Sequence, residues 1–164
     1  DYPLSDARWR GDDGTPLHVS PIPGLTPDDI VQAERSIWRY GAAIPVDGRQ
    51  RISLGEGCTP LVTLDWAGRP VRFKLEWSNP SGSFKDRGAS VMLSHLAGQR
   101  VTRVLEDSSG NGGAAVAAYA AAAGTAAKII VPAATSAAAA QAGLSSSRRS
   151  RRNHTRPVIG RAPR

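Results

Sequence analysis

The stretch VTRVLEDSSGNGGAAVAAYAAAAGTAAKIIV, residues 101–131, decides the fold. Residues 101–105 are mostly β-branched or apolar and predict a strand. Residues 107–113 form a polar, glycine-containing loop. Residues 114–123 predict a helix, because alanine has the highest helix propensity, and Gly124 is its stop. Residues 128–131 predict a short strand of the buried type, ended by Pro132. Strand, helix and strand with short connections make a parallel β-α-β unit with a right-handed crossover. Alanine fills 17 of residues 114–142, and its small side chain lets a helix lie close to a sheet or another helix. The regular Gly and Pro punctuation argues against a disordered alanine tract.

Working outward, residues 61–64 and 71–75 predict the arms of a β-hairpin turning at Ala67-Gly68. Val71, Phe73 and Leu75 alternate with Arg72 and Lys74, as on a half-buried face. A polar loop at 78–83 leads into a helix from Phe84 to Leu96, closed by Gly98. A last helix spans Ser136 to Ala142, capped by Gly143. From residue 71 onward the order is therefore strand and helix, three times over. This predicts an α/β fold with a partial, doubly wound parallel sheet. Five prolines break up residues 1–27, a loop-rich N-terminal arm. Thr26-Pro27-Asp28-Asp29 then predicts a helix start, with an apolar stripe at Ile30, Ala33, Ile37 and Trp38 running to about Tyr40. The chain divides into that arm, a helix and linker at 28–50, an α/β part at 51–144, and a tail at 145–164.

The charge is all at one end. The net charge of +7 comes from the tail, which holds seven arginines and no acid. Residues 1–144 carry 14 basic and 14 acidic side chains. The tail has only Val158 and Ile159 as large apolar residues and no periodicity, so it is expected to be disordered. Its functional reading is an arm for nucleic acid or another anionic surface. No aromatic residue interleaves the arginines to stack on single strands, so nucleic acid is not the expected partner. Leu, Ile, Val and Phe make up about a fifth of the 164 residues, at the edge of what supports an independent core. No apolar stretch approaches the ~20 residues of a membrane span. A single cysteine, Cys58, excludes an internal disulfide framework and any multi-cysteine zinc site, and no metal site is expected. A reduced, cytoplasmic setting is the simplest reading.

In an open α/β sheet, ligands bind beyond the carboxyl ends of the strands. The loops at 78–83 and 107–113 lie there, and each leads into a helix N-terminus that favours anions. Gly110, Gly112 and Gly113 allow close backbone approach, and Ser108, Ser109 and Asn111 add side-chain donors. Lys85 opens a helix directly after a binding loop. The positive dipole end there favours a free amine, able to attack a carbonyl. Taken alone, the same residues also read as ordinary turn chemistry and a solvated charge cluster. Neither a G-x-G-x-x-G fingerprint nor a P-loop follows a strand, so a nucleotide role has little support.

Three segments occur in order: Leu54-Gly55-Glu56-Gly57-Cys58-Thr59-Pro60-Leu61, then Asn79-Pro80-Ser81-Gly82-Ser83-Phe84-Lys85-Asp86-Arg87-Gly88, then Ser108-Ser109-Gly110-Asn111-Gly112-Gly113. Together they resemble the threonine synthases among the fold type II pyridoxal-phosphate enzymes, over roughly residues 35–144. The resemblance implies that residues 51–144 are the N-terminal part of such a catalytic domain. It implies that Lys85 binds pyridoxal 5′-phosphate covalently and is the catalytic base and acid. Asn111 would hydrogen-bond the 3′-oxygen of the cofactor ring, and Ser108, Ser109 and Gly110 would hold the substrate carboxylate. The implied partner is a small amino-acid substrate, and the implied reaction converts O-phosphohomoserine and water to threonine and phosphate. Relatives with the same motifs include threonine or serine dehydratase and cysteine synthase, and these remain alternatives. A basic-tailed nucleic-acid module is the alternative from another class.

The resemblance also leads one to expect a glycine-rich loop gripping the cofactor phosphate, and a Ser or Thr on the pyridine nitrogen. Neither follows Gly143. The abrupt switch to Arg/Ser-rich sequence is what a frameshift or a misassembled gene end in GC-rich DNA produces. The chain expressed alone is therefore expected to be poorly folded and inactive, with a full-length parent that is a homo-oligomer.

Overall fold

The computed structural model describes residues 1–6, 8–46, 49–132 and the backbone of 158–161. Ala67 and Gly68 both take left-handed backbone angles, φ 54° and 76°. Two such residues make the tight turn whose twist matches that of its flanking strands. They join β1 (Leu61–Trp66) to β2 (Arg69–Lys74) in an antiparallel pair, from Leu61↔Lys74 to Trp66↔Arg69. The hairpin expected from the sequence is therefore present. Its expected face is covered only in part: Phe73 and Leu75 are partly buried between the exposed Arg72 and Lys74, whereas Val71 is exposed, as are its cross-strand neighbour Leu64 and Trp66, which packs on Phe73 at 6.1 Å between ring centroids. Among the described residues β2 pairs with β1 alone and does not join the parallel sheet.

The parallel sheet has the order β3-β4-β5, with β3 at Arg103–Asp107, β4 at Ala126–Val131 and β5 at Val158–Arg161. β3 starts two residues later than the sequence suggests. The connecting helix α2, Asn111–Ala123, starts three residues earlier, taking up Asn111, Gly112 and Gly113 of the expected loop. Gly124 ends it in the left-handed conformation, φ 70°, as expected. The register from Arg103↔Ala126 to Asp107↔Ile130 confirms the parallel β-α-β unit.

Four residues of the tail, Val158–Arg161, add β5 to the sheet. Lys128↔Val158 through Val131↔Arg161 pair in parallel. The free edge of β4 offers unpaired N–H and C=O groups that template a further strand. A composition argument weighs side-chain burial and does not register this. The expected helix at 136–142 and the rest of the tail lie outside the described residues.

Helix α1 spans Lys85–Gly98, close to its expected position, but it runs through Gly98 and is capped by Gln99 instead. Helix α2 lies between α1 and the sheet, and this explains its alanines. Ala115, Ala118, Tyr119 and Ala120 pack against Ala89 and Leu93 of α1. Val116 and Ala117 pack against Ile129, Val104 and Val131 of the sheet. A helix buried on both sides needs small residues to bring its neighbours close.

The expected helix over residues 26–40 is replaced by two 3-10 turns, Pro27–Asp29 and Ile37–Ala43. The start signal holds: the Asp29 carboxylate accepts from the Thr26 N–H and hydroxyl at 2.8 and 2.7 Å. Ile30 is extended, however, and the Val31 N–H bonds the Arg39 carbonyl at 3.0 Å, so the chain loops back. Ser36 then caps the second turn by accepting from the Trp38 N–H. Of the expected stripe only Trp38 is buried, and its indole donates to Ser90 of α1 at 3.0 Å. That tertiary anchor outweighs local helix propensity.

Two serines of α1 act as a surrogate strand. Ser94 Oγ accepts the Ile52 N–H at 2.8 Å, and Ser90 Oγ donates to the Ile52 carbonyl at 2.7 Å. One turn apart on the helix, they satisfy both backbone groups of Ile52. This seats the segment that carries the first motif.

Candidate active site

Lys85 is the first residue of α1 and is exposed. Its backbone N–H bonds Ser83 Oγ at 3.2 Å, and its Nζ lies 5.1 Å from the centroid of the Phe84 ring. Among the described residues the ammonium has no hydrogen-bond or ion-pair partner. The other two lysines are placed differently. Lys74 donates to the Thr59 carbonyl, and Lys128 stands in β4.

The loop in front of Lys85 is held by a buried acid. Asp86 is fully buried, and its carboxylate accepts from the backbone N–H of Ser81 at 2.7 Å and from the Ser81 hydroxyl. This ties residues 81–86 into a short arch and fixes where α1 begins. Charge-assisted bonds of this kind are the stronger class.

The second expected group is continuous. The sheet runs one step past β3, since the Ser108 N–H bonds the Ile130 carbonyl at 3.2 Å. Gly110 then precedes α2 without a side-chain cap, leaving the first N–H groups of the helix open to a ligand. Ser109, Gly110 and Asn111 are exposed, and Ser108 is partly covered. Gly113 is required by packing: a Cβ there would sit 2.5 Å from the Ser108 carbonyl oxygen and 2.9 Å from Ile129 Cγ2. Both expected groups thus lie at the start of helices that pack on each other. No hydrogen bond or ion pair joins Lys85 to residues 108–111.

A polar network that the sequence did not reveal joins the first two motifs. Gly57 N–H donates to Asn79 Oδ1 at 2.9 Å, and Thr59 Oγ1 donates to Glu76 at 2.7 Å. Arg87 grips the Glu76 carboxylate with Nε and Nη2, each at 2.8 Å. That guanidinium holds the Glu76 carboxyl down at about 2, with Thr59 and Asn79 adding to the effect. Asn79 and Arg87, quoted above for the resemblance, therefore cross-link the first two motifs. Glu56 is fully buried and accepts from Ser53 Oγ, the Leu54 N–H and the Tyr119 hydroxyl, the last at 2.9 Å. Burial, followed by the Glu56 charge, pushes the Tyr119 hydroxyl up. The available signals were an acid inside a glycine-rich motif and a lone tyrosine in an alanine helix.

The family model for the pyridoxal-phosphate dependent enzymes matches residues 52–147, more than half of the chain. The chain belongs to this family. Threonine synthase of Methanosarcina acetivorans is 36% identical over 81 residues, which are 46% of this chain and 20% of that protein. Threonine synthase of Halalkalibacterium halodurans is 38% identical over 87 residues, 46% of this chain and 24% of that protein. The chain thus spans about a fifth to a quarter of these relatives. Among solved structures, a hydrogen sulfide-producing enzyme from Fusobacterium nucleatum superposes with TM-score 0.51 at 32% identity, covering 55% of this chain and 32% of that one. A pyridoxal 5′-phosphate-dependent aspartate racemase gives TM-score 0.52 at 27% identity, covering 63% and 32%. The fold is a partial fold type II arrangement, and the cofactor of the family is pyridoxal phosphate. The residues present suit that group: an uncommitted lysine amine, an exposed asparagine, and an uncapped helix N-terminus over a glycine cradle. Among the described residues, no helix is long and apolar enough to cross a membrane.

Proposed function

We propose that the chain carries the lysine and carboxylate-binding portion of a threonine synthase-like lyase. The observation that supports this most is the placement of Lys85: an amino group without a partner among the described residues, at the head of α1 and behind an arch held by Asp86. When bound, pyridoxal phosphate supplies an electron sink for a substrate carbanion. Lys85 Nζ takes and returns protons at the substrate carbons. The Asn111 side-chain amide would donate a hydrogen bond to the 3′-oxygen on the cofactor ring. The hydroxyls of Ser108 and Ser109 and the N–H of Gly110 bind the substrate carboxylate, helped by the dipole of α2. The overall reaction takes O-phosphohomoserine and water to threonine and phosphate in the cytoplasm. Since the chain spans a minor part of its relatives, this activity is proposed for the whole protein, and the chain alone is expected to make no threonine. The solved relatives of other specificity favour one alternative, a different fold type II reaction on an amino acid. Product analysis with O-phosphohomoserine, threonine and O-acetylserine separates these readings.

The first test uses the fact that the chain has three lysines, Lys74, Lys85 and Lys128. The protein is mixed with pyridoxal phosphate, reduced with borohydride and mapped by mass spectrometry. Selective labelling of Lys85, with an absorbance near about 410–430 nm before reduction that Lys85→Ala removes, supports the assignment and overturns the expectation of a poorly folded chain. Equal labelling of all three lysines would overturn the assignment.

A further inference from the structure

Four cationic side chains that the proposed reaction leaves unused line one cavity of about 350 Å³. Arg35 precedes the second 3-10 turn, Arg39 lies within it, Lys74 ends β2, and Arg87 is in the first turn of α1. Tyr40, Cys58 and Thr59 complete the wall, and no carboxylate lines it. Residues 1–144 hold equal numbers of acids and bases, so the cluster does not follow from composition.

Most of this charge is not neutralised. Arg87 is paired with Glu76. Lys74 is bonded to a backbone carbonyl. Arg39 donates to Cys58 Sγ at 3.3 Å and to Gln32 Oε1 at 3.0 Å. Its Nε is buried with no partner among the described residues. Arg35 makes no ion pair among the described residues. We propose that this cavity is a binding site for a phosphate dianion, free or as a small phosphomonoester. Guanidinium groups match the tetrahedral oxyanion, and three unpaired cations suit its double charge. None of Lys85, Ser108, Ser109, Gly110 or Asn111 lines the cavity, so the site stands apart from the proposed reaction.

The test titrates the full chain with inorganic phosphate at low ionic strength, followed by calorimetry. Binding at one site per chain is expected, at least tenfold weaker in Arg35→Gln/Arg39→Gln and unchanged in Arg103→Gln on β3. Arg35→Gln alone, at an exposed residue, is expected to weaken binding several-fold without affecting folding, checked by circular dichroism. Because Cys58 is the only cysteine and borders the cavity, phosphate is also expected to slow its alkylation by iodoacetamide, and not in the double variant. O-phosphoserine binding more tightly than phosphate identifies a phosphomonoester as the ligand; equal affinity identifies phosphate itself. Absence of binding, equal affinity in the double variant, or no protection of Cys58 would overturn the proposal.

Discussion

The β3-α2-β4 unit and the β1-β2 hairpin are both legible as alternating patterns, yet they end in different surroundings. In the first, the apolar positions find partners: Val104 and Ile129 meet Val116 and Ala117, and the opposite side of α2 meets Leu93. In the second, the turn forms and the register is complete, but Leu64 and Trp66 remain 54% and 68% exposed. Local turn chemistry is enough to shape a hairpin. Covering its apolar face takes a surface that the strands themselves do not provide.

Leu93→Ala is expected to break this contrast most strongly. The side chain is 1% exposed at the junction of α1 and α2. Its truncation should destabilise the chain by about 2–5 kcal/mol in urea unfolding. Gly113→Ala comes next, at about 1–3 kcal/mol, because the added methyl meets the Ser108 carbonyl and Ile129. It is also expected to shift the loop at 108–110, which a loss of carboxylate-ligand binding would reveal.

The Glu76–Arg87 pair sharpens the comparison, since it ties the 3-10 turn Glu76–Ser78, just after β2, to α1. Its carboxyl lies at about 2 against an ordinary 4.5, so the pair stabilises the chain fully above pH 4.5. That contribution is lost as the pH falls toward 2. Allowing for solvent screening of a partly exposed pair, it amounts to roughly 1–2 kcal/mol. The melting temperature should fall across that window in the parent chain, and less steeply in Glu76→Gln. The smallest effect is expected for Leu64→Ala on the open hairpin face, within about 0.5 kcal/mol in the same urea assay. A cost there as large as at Leu93 would show that the hairpin face is covered in solution.

The placement of Lys85 and of the 108–111 loop was readable because each depends on a local switch from loop to helix. The boundaries moved by two or three residues because the glycines of that loop are compatible with both states. The network holding the site was not readable. Glu56, Glu76 and Asp86 are acids, and nothing in their own neighbourhood says that two of them are fully buried. Asp86 bonds nearby Ser81, but Glu76 also bonds Thr59 17 positions away, and Tyr119 is 63 positions from Glu56. Residues 26–40 failed for a related reason. A helical stripe was present, but Trp38 reaches Ser90 of α1, and the chain bends to let it do so.

By itself, the sequence determined the hairpin turn, the two helices, the parallel unit and the position of the lysine. Each of these rests on dihedral preference and periodicity within a few residues. Only the tertiary structure decided which apolar faces are covered, which acids are buried, and where four separate cations converge. Those outcomes depend on which distant segments come to share a space, and desolvation and pairing energies arise only once they do.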